Sequence, residues 1–207
     1  MKNYVITIAR GYGSGGRAIG QMLAEELNVN FYDRELLKLA SDASGIHEGL
    51  FAQADETAKN PLLYSIIKKV YTGQIIPPDR DDFISNENLF NYQAKIIKEL
   101  AQNESCVIVG RCADFILKDL DNVLRIYVHA SPEDCIQTVE DLAVCPKKQV
   151  KNYIQAIDKR RAAYYRYFTG RNWQNADNYD LCLNTSHLTR TQCIELVKAY
   201  LKIKFEH

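Results

Sequence analysis

At 207 residues the chain is sized for one domain, with room for a small lobe but not for a second independent core. Its 26 Lys and Arg balance 26 Asp and Glu, and the zero net charge argues against general attraction to nucleic acid or to an anionic membrane. No stretch approaches the about eighteen apolar residues of a membrane span, and the run after Met1-Lys2-Asn3 is too short for a secretory signal; a cytoplasmic protein is expected.

Tyr4 to Ala9 is a β-branched run, followed by the glycine-rich Gly11-Tyr12-Gly13-Ser14-Gly15-Gly16 and by Ala18, Ile19, Met22, Leu23 and Leu27 at helical spacing. That pattern predicts strand, tight loop, helix. Asn30-Phe31-Tyr32-Asp33 reads as a second short strand, and Glu35 to Ala43 as a helix stopped near Gly45. From His47 to Gln102 the pattern is mostly helical, broken at Thr72-Gly73 and at Pro77-Pro78-Asp79-Arg80-Asp81-Asp82, a candidate mobile loop over a site. The apolar faces of the 61–71 and 85–101 helices leave a homodimer open.

Cys106 to Gly110 and Val123 to Val128 read as buried parallel strands separated by a helix. Ser131-Pro132-Glu133-Asp134 is a helix start, with a capping Ser, Pro in the first turn and acids at the positive end of the dipole. A long helical stretch opens at Pro146 and ends near Thr169-Gly170. Tyr179 to Leu183 is the last expected strand, and Thr189-Arg190-Thr191-Gln192 fits a capping box before a terminal helix. Strands alternating with helices predict an α/β fold on a mainly parallel sheet. The six cysteines, at 106, 112, 135, 145, 182 and 193, form no C-x-x-C pair and are expected to be reduced and structural. Four histidines show no zinc-ligand spacing.

In such a sheet the loop after the first strand lies at the carboxyl end, where helix N-terminal N–H groups meet anions. From Gly11 to Ala18 the spacing matches G-x-x-x-x-G-K-[ST] with Arg17 for Lys and Ala18 for Ser or Thr. Gly11, Gly13, Ser14, Gly15, Gly16, Arg17 and Ala18 are therefore the candidate phosphate-binding set, and Arg10 a further candidate contact. Arg111, at the end of a central strand, points toward the same edge. Asp158, Arg160, Arg161, Arg166 and Arg171 cluster late in the long helix, with Asp158, Arg161 and Tyr165 on one face. The aromatics Tyr164, Tyr165, Tyr167 and Phe168 read more readily as packing than as a base platform.

Gly11 to Leu27, Phe31-Tyr32-Asp33, Val107 to Asp114, Ile126 to Glu133 and Asp158 to Tyr167 resemble, in order, the conserved segments of cytidylate kinases, and most closely the cytidylate kinase-like proteins. The resemblance covers nearly the whole chain. It implies a three-layer P-loop NTPase fold with a parallel, roughly five-stranded sheet, all in one domain over 1–207, with a helical acceptor lobe at about 45–103 and a lid at about 140–172. It further implies ATP and Mg2+, transfer of the γ-phosphoryl to a nucleotide such as CMP or dCMP, catalytic roles for Arg17, Arg160 and Arg161, and an acceptor site of Asp33, Arg34, Arg111, Asp114 and Asp158. Three departures stand out. A gapless match puts Gly16 where the family has the loop lysine, whereas the motif spacing puts Arg17 there; Ala18 offers no hydroxyl to magnesium and leaves Ser14 as the candidate; and Cys112 replaces a base-reading aspartate, with Asp114 two places on as the substitute. A nucleotide-binding module without catalysis and a kinase of another small metabolite are the competing expectations.

Overall fold

The computed structural model describes residues 3–56, 73–80 and 82–205; the helix expected over 61–71 and the break at Thr72 lie outside them. Five strands form one sheet: β1 (Val5–Arg10), β2 (Asn30–Tyr32), β3 (Cys106–Val109), β4 (Val123–His129) and β5 (Leu181–Asn184). Their order is β2-β3-β1-β4-β5, with every neighbouring pair parallel. The chain leaves β1 toward the β2 side and leaves β3 toward the β4 side, so the two connections part and open a crevice at the carboxyl ends of β1 and β3.

Eight described helices cover the sheet: α1 (Gly16–Leu27), α2 (Glu35–Ser44), α3 (Glu48–Glu56), α4 (Asn86–Asn103), α5 (Ala113–Ile116), α6 (Pro132–Asp141), α7 (Val150–Thr169) and α8 (Arg190–Phe205). A parallel sheet has to bury both faces, and the alternation along β1 shows how this one does so. Val5 and Ala9 join a core with Leu36, Phe90 and Tyr165, whereas Ile6 and Ile8 join a second core with Leu23 of α1 and Val197 of α8. The fold is therefore a three-layer α/β sandwich. Caps end the helices where the sequence predicts: Gly45 and Gly170 are left-handed at φ 72° and 69°, Ser131 accepts from the N–H of Asp134, and Thr189 and Gln192 exchange hydrogen bonds.

The structure refines the sequence reading in its details. β1 runs one residue further, to Arg10, because Arg10 pairs with Val128 of β4. β5 begins at Leu181 because Asp180 is taken up by Arg125, whose backbone and side chain both donate to its carboxylate. In the segment expected as a loop over a site, the described residues are anchored to α4: the Asn88 side chain bonds Ile76 and Phe83, and Asn91 donates to the carbonyl of Gln74. The apolar residues of α4, Leu89, Phe90, Ile96 and Ile97, are buried within this chain. Cys182 is exposed on the edge strand β5, while Cys106, Cys112, Cys135 and Cys193 are buried; all six thiols are free. No described helix is long and apolar enough to cross a membrane.

Candidate active site

The glycine loop joins β1 to α1 in a tight path. The N–H of Gly11 donates to Val128, and the Ser14 hydroxyl donates to the carbonyl of Gly11 at 2.8 Å, drawing the loop closed. Gly13 and Gly15 take φ of 85° and 77°, where an L side chain is strained. Gly13 also lies against α6, where a Cβ would stand 2.7 Å from the carbonyl oxygen of Cys135. Gly15 caps α1 without a side-chain hydrogen bond; the N–H of Gly16 donates to Ser14 Oγ at 3.4 Å, and those of Arg17 and Ala18 are left for an anion.

Beside this loop a cleft of about 940 Å³ opens at the carboxyl ends of β1 and β3, and among the described residues six arginines line it against three carboxylates. Arg10 projects into it from the last position of β1. Arg111 enters from the turn after β3, where Gly110, Arg111 and Cys112 are all left-handed, at φ 79°, 60° and 54°. Left-handed backbone in two successive non-glycine residues is strained, and such strain gathers at functional sites. Arg160 and Arg161 come from α7, Arg34 from the start of α2 and Arg17 from α1.

Charge in the cleft is unevenly compensated. Burial, reinforced by Arg161, pushes the Arg10 guanidinium down to about 9, with Asp33 opposing. Burial likewise lowers Arg111 and Arg161, the latter against the opposing charge of Asp158. Guanidinium groups keep their proton even under such pressure, so the cluster stays charged and its repulsion remains as a cost that a bound anion would relieve. Asp114, buried, is raised to about 6 mainly by desolvation, and accepts a 2.6 Å hydrogen bond from the Tyr165 hydroxyl. Burial pushes the neighbouring Cys112 thiol up as well.

The glycine loop, Asp33, Arg34, Arg111, Asp114, Asp158, Arg160 and Arg161 thus converge on one end of the sheet. Arg17 does so differently from its expected place. It is the second residue of α1, its side chain is 56% exposed, and its Nε meets Asp33 Oδ2 at 2.7 Å on the acceptor side, with the guanidinium over the Phe31 ring. Ala18 sits in the first turn of α1. Arg166 is exposed and Arg171 lies over the Phe115 ring; neither lines the cleft. Tyr164, Tyr165 and Phe168 are core residues, with Phe168 stacked on Phe90 at 4.0 Å. The residues do not fit a protein-held magnesium. The Ser14 hydroxyl is spent inside the loop, Ala18 has none, and no cluster of three metal-ligating side chains occurs among the described residues. A magnesium ion is therefore best regarded as arriving on the nucleotide's own phosphates.

Two features escaped the sequence, and a third, Arg10, stands there only as a further candidate. Tyr12 is the hub between the glycine loop and α7: its N–H donates to Asp158, its ring lies 5.3 Å from the Arg161 guanidinium, and it packs edge-on against Tyr153. Arg10 is central rather than peripheral, which the alternation Ile6, Ile8, Arg10 hints at once β1 is extended by one residue. Glu48 and Ala52 of α3 and Trp173 complete the wall, with no motif to mark them.

The fold recurs among solved structures. An uncharacterized protein from Eubacterium ventriosum ATCC 27560 superposes with a TM-score of 0.70 at 24% identity, covering 97% of this chain and 99% of its own. Shikimate kinase from Bacteroides thetaiotaomicron superposes at 0.50 with 16% identity, covering 99% of each chain. No curated protein matches the sequence closely enough to count as a relative. The cytidylate kinase-like family does match, over residues 5–187, from the first strand past the last, and the chain belongs to that family.

Proposed function

We propose that this chain is an ATP-dependent phosphotransferase that carries the γ-phosphoryl of ATP to a nucleoside monophosphate, with CMP or dCMP as the first acceptors to try. The observation that carries the reading is the meeting of Arg10, Arg111 and Arg161 in one cleft beside the glycine loop and the start of α1. The acceptor oxygen attacks the γ-phosphorus, the bond to the β–γ bridging oxygen breaks, and ADP leaves with that electron pair. The transition state spreads charge over equatorial oxygens, so positioning and fixed positive charge supply most of the rate. In this scheme the loop N–H groups hold the ATP phosphates. Arg160 and Arg161 bring charge from the lid region at about 140–172, and Asp33, Arg34 and Arg111 hold the acceptor, with the helical region at about 45–103 as its lobe.

A second acceptor class is favoured by one observation: Cys112 stands where the family has a base-reading aspartate, and the substitute Asp114 is buried and bonded to Tyr165. A small hydroxylated anion, needing charge rather than base recognition, would suit that wall. The test is the initial rate of ADP formation with ATP and magnesium against a panel of CMP, dCMP, UMP, AMP, GMP and shikimate. Acceptor-dependent turnover led by CMP or dCMP supports the first class, and turnover led by a non-nucleotide supports the second. ATP binding with no acceptor-dependent ADP reduces the chain to a nucleotide-binding module.

A further inference from the structure

We propose that Arg10 supplies the cation that the glycine loop lacks, reaching the β- and γ-phosphates of ATP from the end of β1 instead of from the start of α1. The proposal rests on the ATP-binding reading above and names the group that does the work a loop lysine does elsewhere.

The geometry ties three positions together. Gly16 is the first residue of α1, and a Cβ there would stand 2.7 Å from the Cβ of Arg10 and 3.0 Å from that of Val128. A lysine at position 16 would therefore collide with any side chain at position 10, arginine included, and would crowd Val128. Gly110, on the neighbouring strand end, is the second half of the fit: a Cβ there would stand 2.4 Å from Nη1 of Arg10. Two glycines far apart in sequence thus clear the path of one side chain from the strand into the cleft.

What the side chain finds there is incomplete. Its exposure is 19%, its ion pair with Asp33 is long at 4.0 Å, and its Nε is buried with no hydrogen-bond partner among the described residues. Asp33 is shared with Arg17, which holds it more closely at 2.7 Å. Arg161 donates to the carbonyl oxygen of Arg10 at 3.1 Å, which brings a second guanidinium to the same strand end. A buried guanidinium with a poor carboxylate partner and an unmade hydrogen bond is a poor structural element. It is a good phosphate receptor, because its planar fork can donate to two phosphate oxygens at once.

The test is ATP binding by calorimetry in magnesium, with melting temperature read in parallel, on four full-length proteins: wild type, Arg10→Met, Gly16→Lys, and the double variant Arg10→Gly with Gly16→Lys. Arg10→Met keeps the buried stem and loses the charge. It is expected to bind ATP at least tenfold more weakly while melting no lower than wild type, because it relieves repulsion with Arg161. Gly16→Lys alone is expected to bind weakly through the clash, and the double variant to recover most of the lost affinity. If Arg10→Met fails to fold, the comparison of Gly16→Lys with the double variant decides alone, and a double variant that binds no better overturns the proposal. An Arg10→Met protein that binds ATP as wild type does overturns the proposal while leaving the phosphotransferase reading intact. A wild-type chain that binds no ATP overturns both.

Discussion

The backbone N–H of Tyr12 donates a 2.9 Å hydrogen bond to the carboxylate of Asp158, joining the glycine loop to α7 across 146 residues of chain. The same carboxylate pairs with Arg161 at 3.3 Å, so one side chain fixes both the glycine loop and an arginine of α7. Burial raises Asp158 from the ordinary carboxylate range, with the Tyr12 N–H and Arg161 opposing that shift. Asp158→Ala is expected to lower kcat at saturating ATP by tenfold or more and to cost about 1.5–3 kcal/mol of stability, typical of one lost hydrogen bond to a charged group. Turnover at the wild-type rate would show that the clasp does not position the reacting groups.

Gly13 tests the loop from its other side. Alanine there meets both a φ of 85° and the carbonyl of Cys135 at 2.7 Å, and the backbone of α6 cannot step aside as a flexible side-chain tip would. Gly13→Ala should destabilise the fold by about 2 kcal/mol or more, from the strained φ together with the overlap, and abolish nucleotide binding. Gly15→Ala meets the φ penalty without any neighbour within 4 Å, and should cost less. Denaturant midpoints of the two variants side by side check the order, and equal losses would contradict it.

Asp114 gives the fold a pH dependence of definite sign. Its folded pKa of about 6 lies above the unfolded value of about 3.9, so the fold prefers the neutral carboxyl. Its contribution to stability is complete below about pH 4 and is lost as pH rises through about 6. Asp114→Asn keeps an acceptor for Tyr165 but cannot ionise. Relative to wild type it should gain about 2–3 kcal/mol between pH 4 and pH 7, at about 1.4 kcal/mol per pKa unit. Urea unfolding at the two pH values measures this; a difference that does not change with pH would mean Asp114 titrates normally.

Local signals in the sequence carried most of the fold. β-branched runs, helix caps and the glycine loop mark all five strands and the ends of α2, α6, α7 and α8, because each depends on neighbours a few residues away. The long-range features were hidden for the same reason. The order β2-β3-β1-β4-β5, the space that Gly16 and Gly110 clear for Arg10, and the Tyr12–Asp158 bond all join residues that no periodicity links. The charged site was readable as a collection of arginines at strand and helix ends, but not as a ranking. Arg17 and Arg10 are indistinguishable in composition, and only the packing turns one toward Asp33 and the other into the cleft. Around Pro77-Pro78, proline and charge mark a loop without saying what holds it; Asn88 and Asn91 do that from α4.

The central claim is that this cleft moves a phosphoryl group from ATP to an acceptor rather than merely binding phosphates. It is tested most directly by following the label from ATP carrying an isotopically marked γ-phosphoryl, in the presence of the best acceptor from the panel. The account predicts label in the phosphorylated acceptor, in step with ADP, and at least a hundredfold less of it with Arg111→Ala. Label found only in inorganic phosphate, or left entirely in ATP that is nonetheless bound, would contradict it.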